Sequence, residues 1–155
     1  MSSPTSSHVY GIGIIAMIVG LSAGISYYQL YYIPELTAKP KIAEEVLHPL
    51  EETQIKMVPG ASNPQQQDNF IPKLIKDIQL SLNNKVVWEN TDQTPHTVTP
   101  DTPFKDKFSG DFGSNGVVMP SEKYEFLFTQ PAEISYHCDP HPWMTGKIII
   151  TVGRF

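Results

Sequence analysis

The longest hydrophobic pattern in the chain is an uncharged segment near its N-terminus. Residues 9–33 contain no Asp, Glu, Lys or Arg, and a helix needs about 20 such residues to cross a bilayer. Tyrosines mark both ends of the segment, as they do at membrane interfaces, and they are Tyr10, Tyr27, Tyr28, Tyr31 and Tyr32. We therefore predict one transmembrane helix over residues 9–33, and we expect Pro34 to end it because proline lacks the backbone N–H.

A cleaved signal peptide is the alternative interpretation of this segment. A signal peptide has a basic start and a shorter apolar core, whereas no Lys or Arg precedes this segment and its apolar run is long. We therefore favour a retained anchor. Three small residues spaced four apart, Ala16, Gly20 and Gly24, share one face of the predicted helix and would let another membrane helix approach closely.

Shorter patterns follow the apolar segment and predict β-strands. Polar and apolar residues alternate, or apolar residues cluster, in segments 54–58, 78–82, 86–90, 124–129 and 148–152. Turn-forming residues lie between these segments, at 83–84, 92–95, 113–116 and 130–131. Many short strands at regular spacing are typical of an all-β sandwich. We divide the chain into an anchor at 1–34, a linker at 35–52 with room for one or two helical turns, and a β domain at 53–155.

The charge of the chain limits the kinds of partner it can bind. The formal net charge is −5 at pH 7, and the first charged residue is Glu35. A nucleic-acid-binding surface needs a basic stripe, so we expect no nucleic acid partner. The single cysteine, Cys138, excludes an internal disulfide and directs attention to the chemistry of that thiol.

Four potential metal ligands occur in two distant parts of the β domain. Residues 136–146 read Y-H-C-D-P-H-P-W-M-T-G, so that Cys138, His141 and Met144 follow one another at intervals of three. His96 follows segment 86–90 and the turn at 92–95. Two imidazoles, one thiolate and one thioether are the ligand set of a blue copper electron-transfer site. We therefore predict one copper ion bound by these four residues.

Two sequence motifs resemble those of the cupredoxins, within the group of amicyanin, plastocyanin and halocyanin. They are W-E-N-T-D-Q-T-P-H-T-V-T at residues 88–99 and the segment 136–146, whose short Cys-x-x-His-x-x-Met loop is most similar to that of amicyanin. The resemblance covers residues 53–152. It implies a Greek-key β-sandwich or barrel, here preceded by one N-terminal transmembrane helix, with a type 1 copper ion at one pole.

The resemblance also implies roles for individual residues. His96, Cys138, His141 and Met144 match the copper ligands one for one, and His141 matches the histidine that lies at the surface as the electron port. His137 adjoins Cys138, but neighbours in a strand point to opposite faces, so we expect it to face away from the ion. Trp143 has two interpretations, a hydrophobic docking patch or a cap that keeps water from the copper, and both stay open.

Two positions depart from the pattern of the family. Many members have an asparagine after the first ligand histidine that braces the two ligand loops, whereas this chain has Thr97. Pro142 follows His141 and has no N–H to donate to the thiolate. The bracing of the loops and the hydrogen bonding of the sulfur are therefore questions for the structure.

The function that the resemblance implies is the transfer of single electrons between a redox protein donor and an acceptor. We expect these partners to be membrane complexes, and we expect no small-molecule substrate and no enzyme activity. Five histidines cannot supply a trinuclear copper cluster, and one cysteine cannot supply a binuclear site. The alternatives are a fixed copper-containing subunit of a membrane oxidase or oxygenase complex and a copper storage or delivery protein.

We expect a single-pass protein of the cell membrane with the copper domain on the extracellular or periplasmic side. Copper proteins of this type normally operate outside the cytoplasm. Lys39 and Lys41 follow the apolar segment, and the positive-inside tendency would place them in the cytoplasm. Two lysines are a weak signal, so we give precedence to the chemistry of the site.

Overall fold

The structure is a computed structural model that describes residues 6–37 and 42–153. It divides into two compact units, Met1–Lys39 and Pro40–Phe155. Lys39 and Lys41, on which the opposing argument about orientation depends, lie outside the described residues.

The described part of the first unit is a helix with a widened turn near its C-terminal end. Helix α1 spans Ser6–Tyr27, a π-helical turn spans Tyr28–Tyr32, and helix α2 spans Ile33–Thr37. The prediction that Pro34 ends the helix is wrong, because Pro34 is the second residue of α2. A proline ring collides with the carbonyl four residues earlier in a regular helix, and the widened turn just before Pro34 relieves that collision.

The apolar segment forms a candidate membrane span. The 27-residue stretch Tyr10–Leu36 is long and apolar enough to cross a bilayer by length and composition, a criterion that a signal sequence near an N-terminus also meets. Its side chains are exposed throughout. An exposed helix that is apolar on all sides is typical of a segment that lies in lipid.

The second unit is built from strands, with one short helix, α3 (Glu44–Leu47), before them. The strands are β1 (Glu52–Met57), β2 (Phe70–Ile71), β3 (Leu74–Gln79), β4 (Lys85–Asn90), β5 (Thr99–Pro100), β6 (Lys105–Asp106), β7 (Gly110–Asp111), β8 (Lys123–Leu127), β9 (Ala132–Cys138) and β10 (His141–Thr151). They form two four-stranded sheets, ordered β2-β1-β4-β8 and β3-β10-β9-β5, and a β6-β7 hairpin. The pairs β1–β4 and β3–β10 are parallel, and the other paired strands are antiparallel. The predicted all-β architecture is confirmed.

The core lies between the two sheets and is rich in aromatic rings. Ile55 and Met57 of β1 are fully buried, as the alternating pattern predicts. Trp88 of β4 is also fully buried, and its ring lies 5.3 Å from that of Tyr124 and 5.7 Å from that of Tyr136, between centroids. Trp88 is therefore a core residue, as expected from its place within a strand.

The predicted strand at 78–82 ends early. β3 stops at Gln79, and Ser81 adopts a left-handed conformation with φ of 71°. The Asn83 side-chain oxygen accepts a hydrogen bond from the Gln79 N–H at 2.7 Å, and that of Asn84 accepts one from the Ser81 N–H at 3.0 Å. These side-chain hydrogen bonds take the place of the backbone bonds that a longer β3 would make, so the residues after Gln79 form a turn.

Three strand ends meet at one end of the sandwich. β4 ends at Asn90, β9 ends at Cys138 and β10 begins at His141. The Asn90 side-chain amide donates to the backbone oxygens of Thr94 and Val118 and so holds the loop that follows β4. We call this end, formed by residues 91–97, 117–119 and 138–144, the site pole.

Candidate metal centre

His96 is held in place by backbone contacts and by one carboxylate. Its N–H donates to the Val118 oxygen at 3.2 Å, and the Val118 N–H donates back to the His96 oxygen at 2.7 Å. The His96 ring is completely buried, and its Nε2 lies 2.9 Å from Oδ2 of Asp92. Because the carboxylate accepts a hydrogen bond, Nε2 carries the ring proton and Nδ1 presents its lone pair to the other side.

Cys138 and His141 flank a two-residue turn. They are paired across the end of the β9–β10 ladder, with Asp139 and Pro140 between them. The ladder becomes irregular between His141 and Thr145, and the intervening Met144 is fully buried. Cys138 is also fully buried, whereas His141 is only half-buried. A tight two-residue turn that contains Pro140 thus sets the thiol and the second imidazole side by side.

The three nitrogen and sulfur atoms form a nearly equilateral triangle. His96 Nδ1 lies 3.2 Å from His141 Nδ1, and the Cys138 Sγ lies 3.6 Å from the first nitrogen and 3.5 Å from the second. A point equidistant from the three atoms is about 2 Å from each, close to the bond lengths of about 2.0–2.3 Å that a first-row metal ion makes to imidazole and thiolate. The donors present therefore fit one such ion.

The donor atoms match copper by their chemistry as well as by their distances. Imidazole suits Cu(II), and a soft thiolate favours Cu(I). Of the described residues, His96, Cys138 and His141 are the group of His, Cys, Asp and Glu that converges closely enough to hold a metal ion. Three of the four residues predicted from the sequence thus come together, and the role of the buried Met144 as the fourth ligand stays a prediction.

The protein groups around the triangle favour the thiolate. Burial alone raises the pKa of the Cys138 thiol, but the neighbouring His96 and the contact with Thr97 outweigh burial and leave the pKa below its ordinary value. Burial alone lowers the pKa of His96, but Cys138 and Asp92 outweigh it and leave that pKa raised. Burial and the neighbouring His96 lower the pKa of His141. The thiolate is the form of cysteine that binds metals, and the groups next to Cys138 favour that form.

Asp92 is a functional residue that the sequence interpretation treated only as part of a turn. It is buried, and its Oδ1 accepts hydrogen bonds from the Gly60 N–H at 2.9 Å and the Gln93 N–H at 2.8 Å. Burial alone raises the pKa of this carboxyl, but the hydrogen bonds from Gly60, His96 and Gln93 leave it lowered and the group ionised. A carboxylate four residues before the candidate ligand His96 was the signal in the sequence.

Thr97 hydrogen-bonds to the segment that contains Cys138. It occupies the position where many members of the family have a bracing asparagine. Its N–H donates to the Cys138 Sγ at 3.3 Å, and its Oγ1 accepts a hydrogen bond from the Asp139 N–H at 2.8 Å. The segment that contains His96 is therefore bonded to both residues at the start of the Cys138–His141 turn. Pro142 has no N–H and cannot donate a hydrogen bond to the sulfur. Among the described residues, the backbone N–H that donates to the sulfur is that of Thr97.

His137 points to the outer face of β9. Its Nδ1 lies 2.6 Å from an oxygen of Asp101, and its Nε2 lies 3.3 Å from an oxygen of Asp139. Both ring nitrogens thus face carboxylates rather than the triangle, in agreement with the expectation from strand alternation.

Trp143 lies beside the half-buried ligand candidate. Its ring packs against that of His141 with centroids 5.4 Å apart, and its Nε1–H donates to the Ala61 oxygen at 3.2 Å. The side chain is still 36% exposed. Trp143 therefore covers part of His141 and presents apolar surface at the same time. Val117 and Met119 of the site pole are exposed as well.

Comparison with known proteins finds a matching family and several relatives of this chain. Residues 65–151 match the model of a family described as copper binding proteins, plastocyanin/azurin family. Amicyanin from Paracoccus denitrificans is 31% identical over 75 residues, which are 48% of this chain and 54% of that protein. Amicyanin from Paracoccus versutus is 30% identical over 78 residues, 50% of this chain and 56% of that protein. The matches thus span little more than half the length of these relatives.

Solved structures with the same fold include a purple cupredoxin from Nitrosopumilus maritimus, with a TM-score of 0.51 and 20% identity over 64% of this chain and 99% of that one. A copper-containing nitrite reductase from Thermus scotoductus SA-01 has the same TM-score and identity over 74% of this chain and 28% of its own. At these identities the likeness shows the fold alone.

Proposed function

This chain belongs to the plastocyanin/azurin family of copper-binding proteins, and from that premise we propose that it carries single electrons between redox proteins on a type 1 copper ion bound by His96, Cys138, His141 and Met144. The observation that carries the proposal is the triangle of donor atoms, whose sides of 3.2, 3.5 and 3.6 Å fit one ion. The copper ion, when bound, supplies one-electron chemistry between Cu(I) and Cu(II).

The residues around the triangle keep the donors in one arrangement. Asp92 fixes the tautomer and the ring plane of His96, and Thr97 binds the sulfur and the following turn. Because both contacts are inside the protein, the donors do not have to reorganise when the charge at the site changes. The complete burial of His96, Cys138 and Met144 keeps water out.

His141 is the proposed port for electrons. It is the one residue of the triangle that is not fully buried, and the exposed side of Trp143 adjoins it. A partner that docks on the exposed side of Trp143 would lie next to His141. We propose that this partner is a redox protein and that no small molecule is transformed at the site.

The helix Tyr10–Leu36 is the proposed membrane anchor. We propose a single-pass protein whose copper domain faces the extracellular or periplasmic side, where its redox partners, including membrane complexes, share the same surface. A fixed subunit of a membrane complex is the second candidate, since Gly20 and Gly24 leave open space on the helix surface. Purification in mild detergent separates the two, because a fixed subunit copurifies with other membrane chains and a shuttle does not.

Copper storage or delivery is a third candidate that the buried donors disfavour. A delivery protein must exchange its metal readily, whereas two of the three donors here are fully buried and tied to the fold. Slow transfer of copper to a chelator supports the electron carrier, and complete transfer within seconds supports delivery.

The test is a redox titration of the full-length protein in detergent after it has been loaded with copper. We expect one copper ion per chain and reversible uptake of one electron per chain. Cys138→Ser removes the thiolate and is expected to abolish both. His48→Gln changes an exposed histidine whose described contact is Glu44, and it is expected to leave both unchanged. A wild-type protein that binds no copper, or copper that accepts no electron, contradicts the proposal.

A further inference from the structure

One asparagine differs from the others of the chain in its neighbour and in its contacts. The chain has six asparagines, and Asn115 is the one that precedes a glycine. The other five each use the side chain in a described hydrogen bond, and they are Asn63, Asn69, Asn83, Asn84 and Asn90. Asn115 is exposed, and its side chain makes none of the hydrogen bonds that the structure describes. Its amide group can therefore turn toward the backbone.

The residue after Asn115 leaves the approach to this amide open. Gly116 is exposed and has a φ of 94°, and a Cβ added to it would meet no heavy atom within 4 Å. A glycine has no side chain to hinder its nitrogen, and its backbone is the most adaptable. The Gly116 N–H donates to the Ser114 oxygen at 2.9 Å, so its nitrogen becomes available when this short exposed turn opens.

We propose that Asn115–Gly116 is a site of spontaneous deamidation that adds a negative charge at the edge of the site pole. The backbone nitrogen of Gly116 loses its proton and attacks the side-chain carbonyl carbon of Asn115. The new C–N bond displaces ammonia and closes a five-membered succinimide ring. One water molecule then opens the ring at either carbonyl, which gives aspartate or isoaspartate without any oxidant or reductant.

The turn that contains Asn115 is bonded to the segment of His96 on both sides. Before the turn, the Ser114 N–H donates to the Val98 oxygen at 2.9 Å, and the Val98 N–H donates to Ser114 Oγ at 3.0 Å. After the turn, Val118 and His96 exchange two backbone hydrogen bonds. The new charge therefore arises between two points that are fixed to this segment, and isoaspartate also lengthens the backbone there by one carbon atom.

The charges near Asn115 show what the modification changes. Glu122 and Lys123 line the same surface hollow as Asn115, so their charges balance before the reaction, and the hollow is negative after it. The three segments of the site pole contain no Lys or Arg that could offset the added charge. The site pole is the surface that the proposed redox partner contacts, so deamidation alters the electrostatics of that contact.

The first test follows the reaction in full-length copper-free protein in detergent, kept in mildly alkaline buffer. Trypsin cuts after Lys107 and Lys123 and releases residues 108–123, in which Asn115 is the one asparagine. Mass spectrometry measures the total conversion of this peptide, and labelling by protein isoaspartyl methyltransferase identifies the isoaspartate. A synthetic peptide of residues 108–123 under the same conditions sets the time scale.

We expect Asn115 to convert about fivefold more slowly in the protein than in the synthetic peptide, because one internal hydrogen bond, that of Gly116, must open first. Asn63 is the matched internal control, since it is also exposed but precedes Pro64, whose nitrogen has no proton to lose. Asn115→Gln is expected to stay unmodified, because its longer side chain would have to close a six-membered ring. Intact Asn115 in the protein when the peptide is fully converted overturns the proposal, as does equal conversion of Asn63.

The second test uses copper-loaded protein and Asn115→Asp, which carries the added charge from the start. Stopped-flow absorption follows oxidation of the reduced protein by hexacyanoferrate(III), an anion, and by tris(phenanthroline)cobalt(III), a cation. The ratio of the anion rate to the cation rate is expected to fall about twofold or more in Asn115→Asp. The wild-type ratio in Asn115→Asp overturns the placement of the charge at the site pole. If wild-type protein takes up no copper, the proposed function fails while the first test still decides the modification.

Discussion

The exchange of Asp92 for asparagine tests how the protein prepares His96 for a metal. The Asp92 carboxylate accepts three hydrogen bonds, from the N–H groups of Gly60 and Gln93 through Oδ1 and from Nε2 of His96 through Oδ2. Asparagine has the same shape, but it places one oxygen and one NH₂ group in these positions. In either orientation the NH₂ group of asparagine faces a group that also donates, either the two backbone N–H groups or the Nε2–H of His96.

The number of lost bonds decides which orientation asparagine takes. With its NH₂ group toward the two backbone N–H groups, two hydrogen bonds are lost in a buried place. With its NH₂ group toward His96, one is lost, or the ring proton moves from Nε2 to Nδ1. Each buried donor left without an acceptor costs about 1–3 kcal/mol, so the second orientation prevails. The proton then occupies the nitrogen that faces Cys138 and His141.

The expected result of Asp92→Asn is a copper affinity lower by about 10- to 100-fold, the usual effect of losing a partner that orients a ligand histidine. The free energy of unfolding is expected to fall by only about 1–2 kcal/mol. Nitrogen-15 resonances of the His96 ring in copper-free protein report the tautomer, and competition with a chelator reports the affinity.

Asp101→Asn is the matched control for this variant. Asp101 lies 2.6 Å from Nδ1 of His137, a histidine outside the triangle, so the same chemical change should leave the copper affinity as it was. Asp92→Asn protein with the wild-type tautomer and the wild-type affinity would refute the reasoning.

Three further predictions concern other parts of the domain. Gly146→Ala is expected to lower the free energy of unfolding by about 3 kcal/mol, measured by urea denaturation, because the new Cβ overlaps the ring of the fully buried Tyr136; an unchanged midpoint would contradict the packing. Burial alone raises the pKa of Asp106, but hydrogen bonds from Thr129, Ser109 and Phe108 outweigh it and leave the folded-state pKa lowered. Its stabilising effect is therefore complete above the unfolded-state pKa and is lost as the pH falls through the folded-state pKa, so Asp106→Asn should flatten the loss of stability in acid, and an unchanged acid profile would count against this. Met144→Leu is expected to keep the blue colour and raise the reduction potential, and a wild-type potential in protein-film voltammetry would argue against a ligand role for this residue.

The parts of the molecule that sequence patterns predicted are those that depend on residue type and spacing. Period-2 alternation identifies β1, where exposed residues alternate with the buried Ile55 and Met57, because burial on one face determines which residues a strand can hold. β4 is identified instead by its run of apolar residues, Val86, Val87 and Trp88. The residues of the triangle were predictable because few residue types bind copper, and two of them are only three residues apart. The apolar helix was predictable because length and lack of charge are the requirements for a span.

The parts that patterns did not predict depend on single hydrogen bonds between distant or irregular segments. The end of β3 is set by the side chains of Asn83 and Asn84, which no alternation reveals. Helix α2 continues past Pro34 because the preceding turn is widened. Asp92 lies in a predicted turn, and only the folded chain brings its oxygen to His96.

The most direct test of the copper centre is the visible absorption spectrum of full-length protein in detergent after addition of one equivalent of Cu(II). The proximity of the Cys138 sulfur to both imidazoles predicts an intense blue band from thiolate-to-copper charge transfer that disappears in Cys138→Ser. Bound copper without that band, or a band that persists when the thiol is removed, would contradict the account.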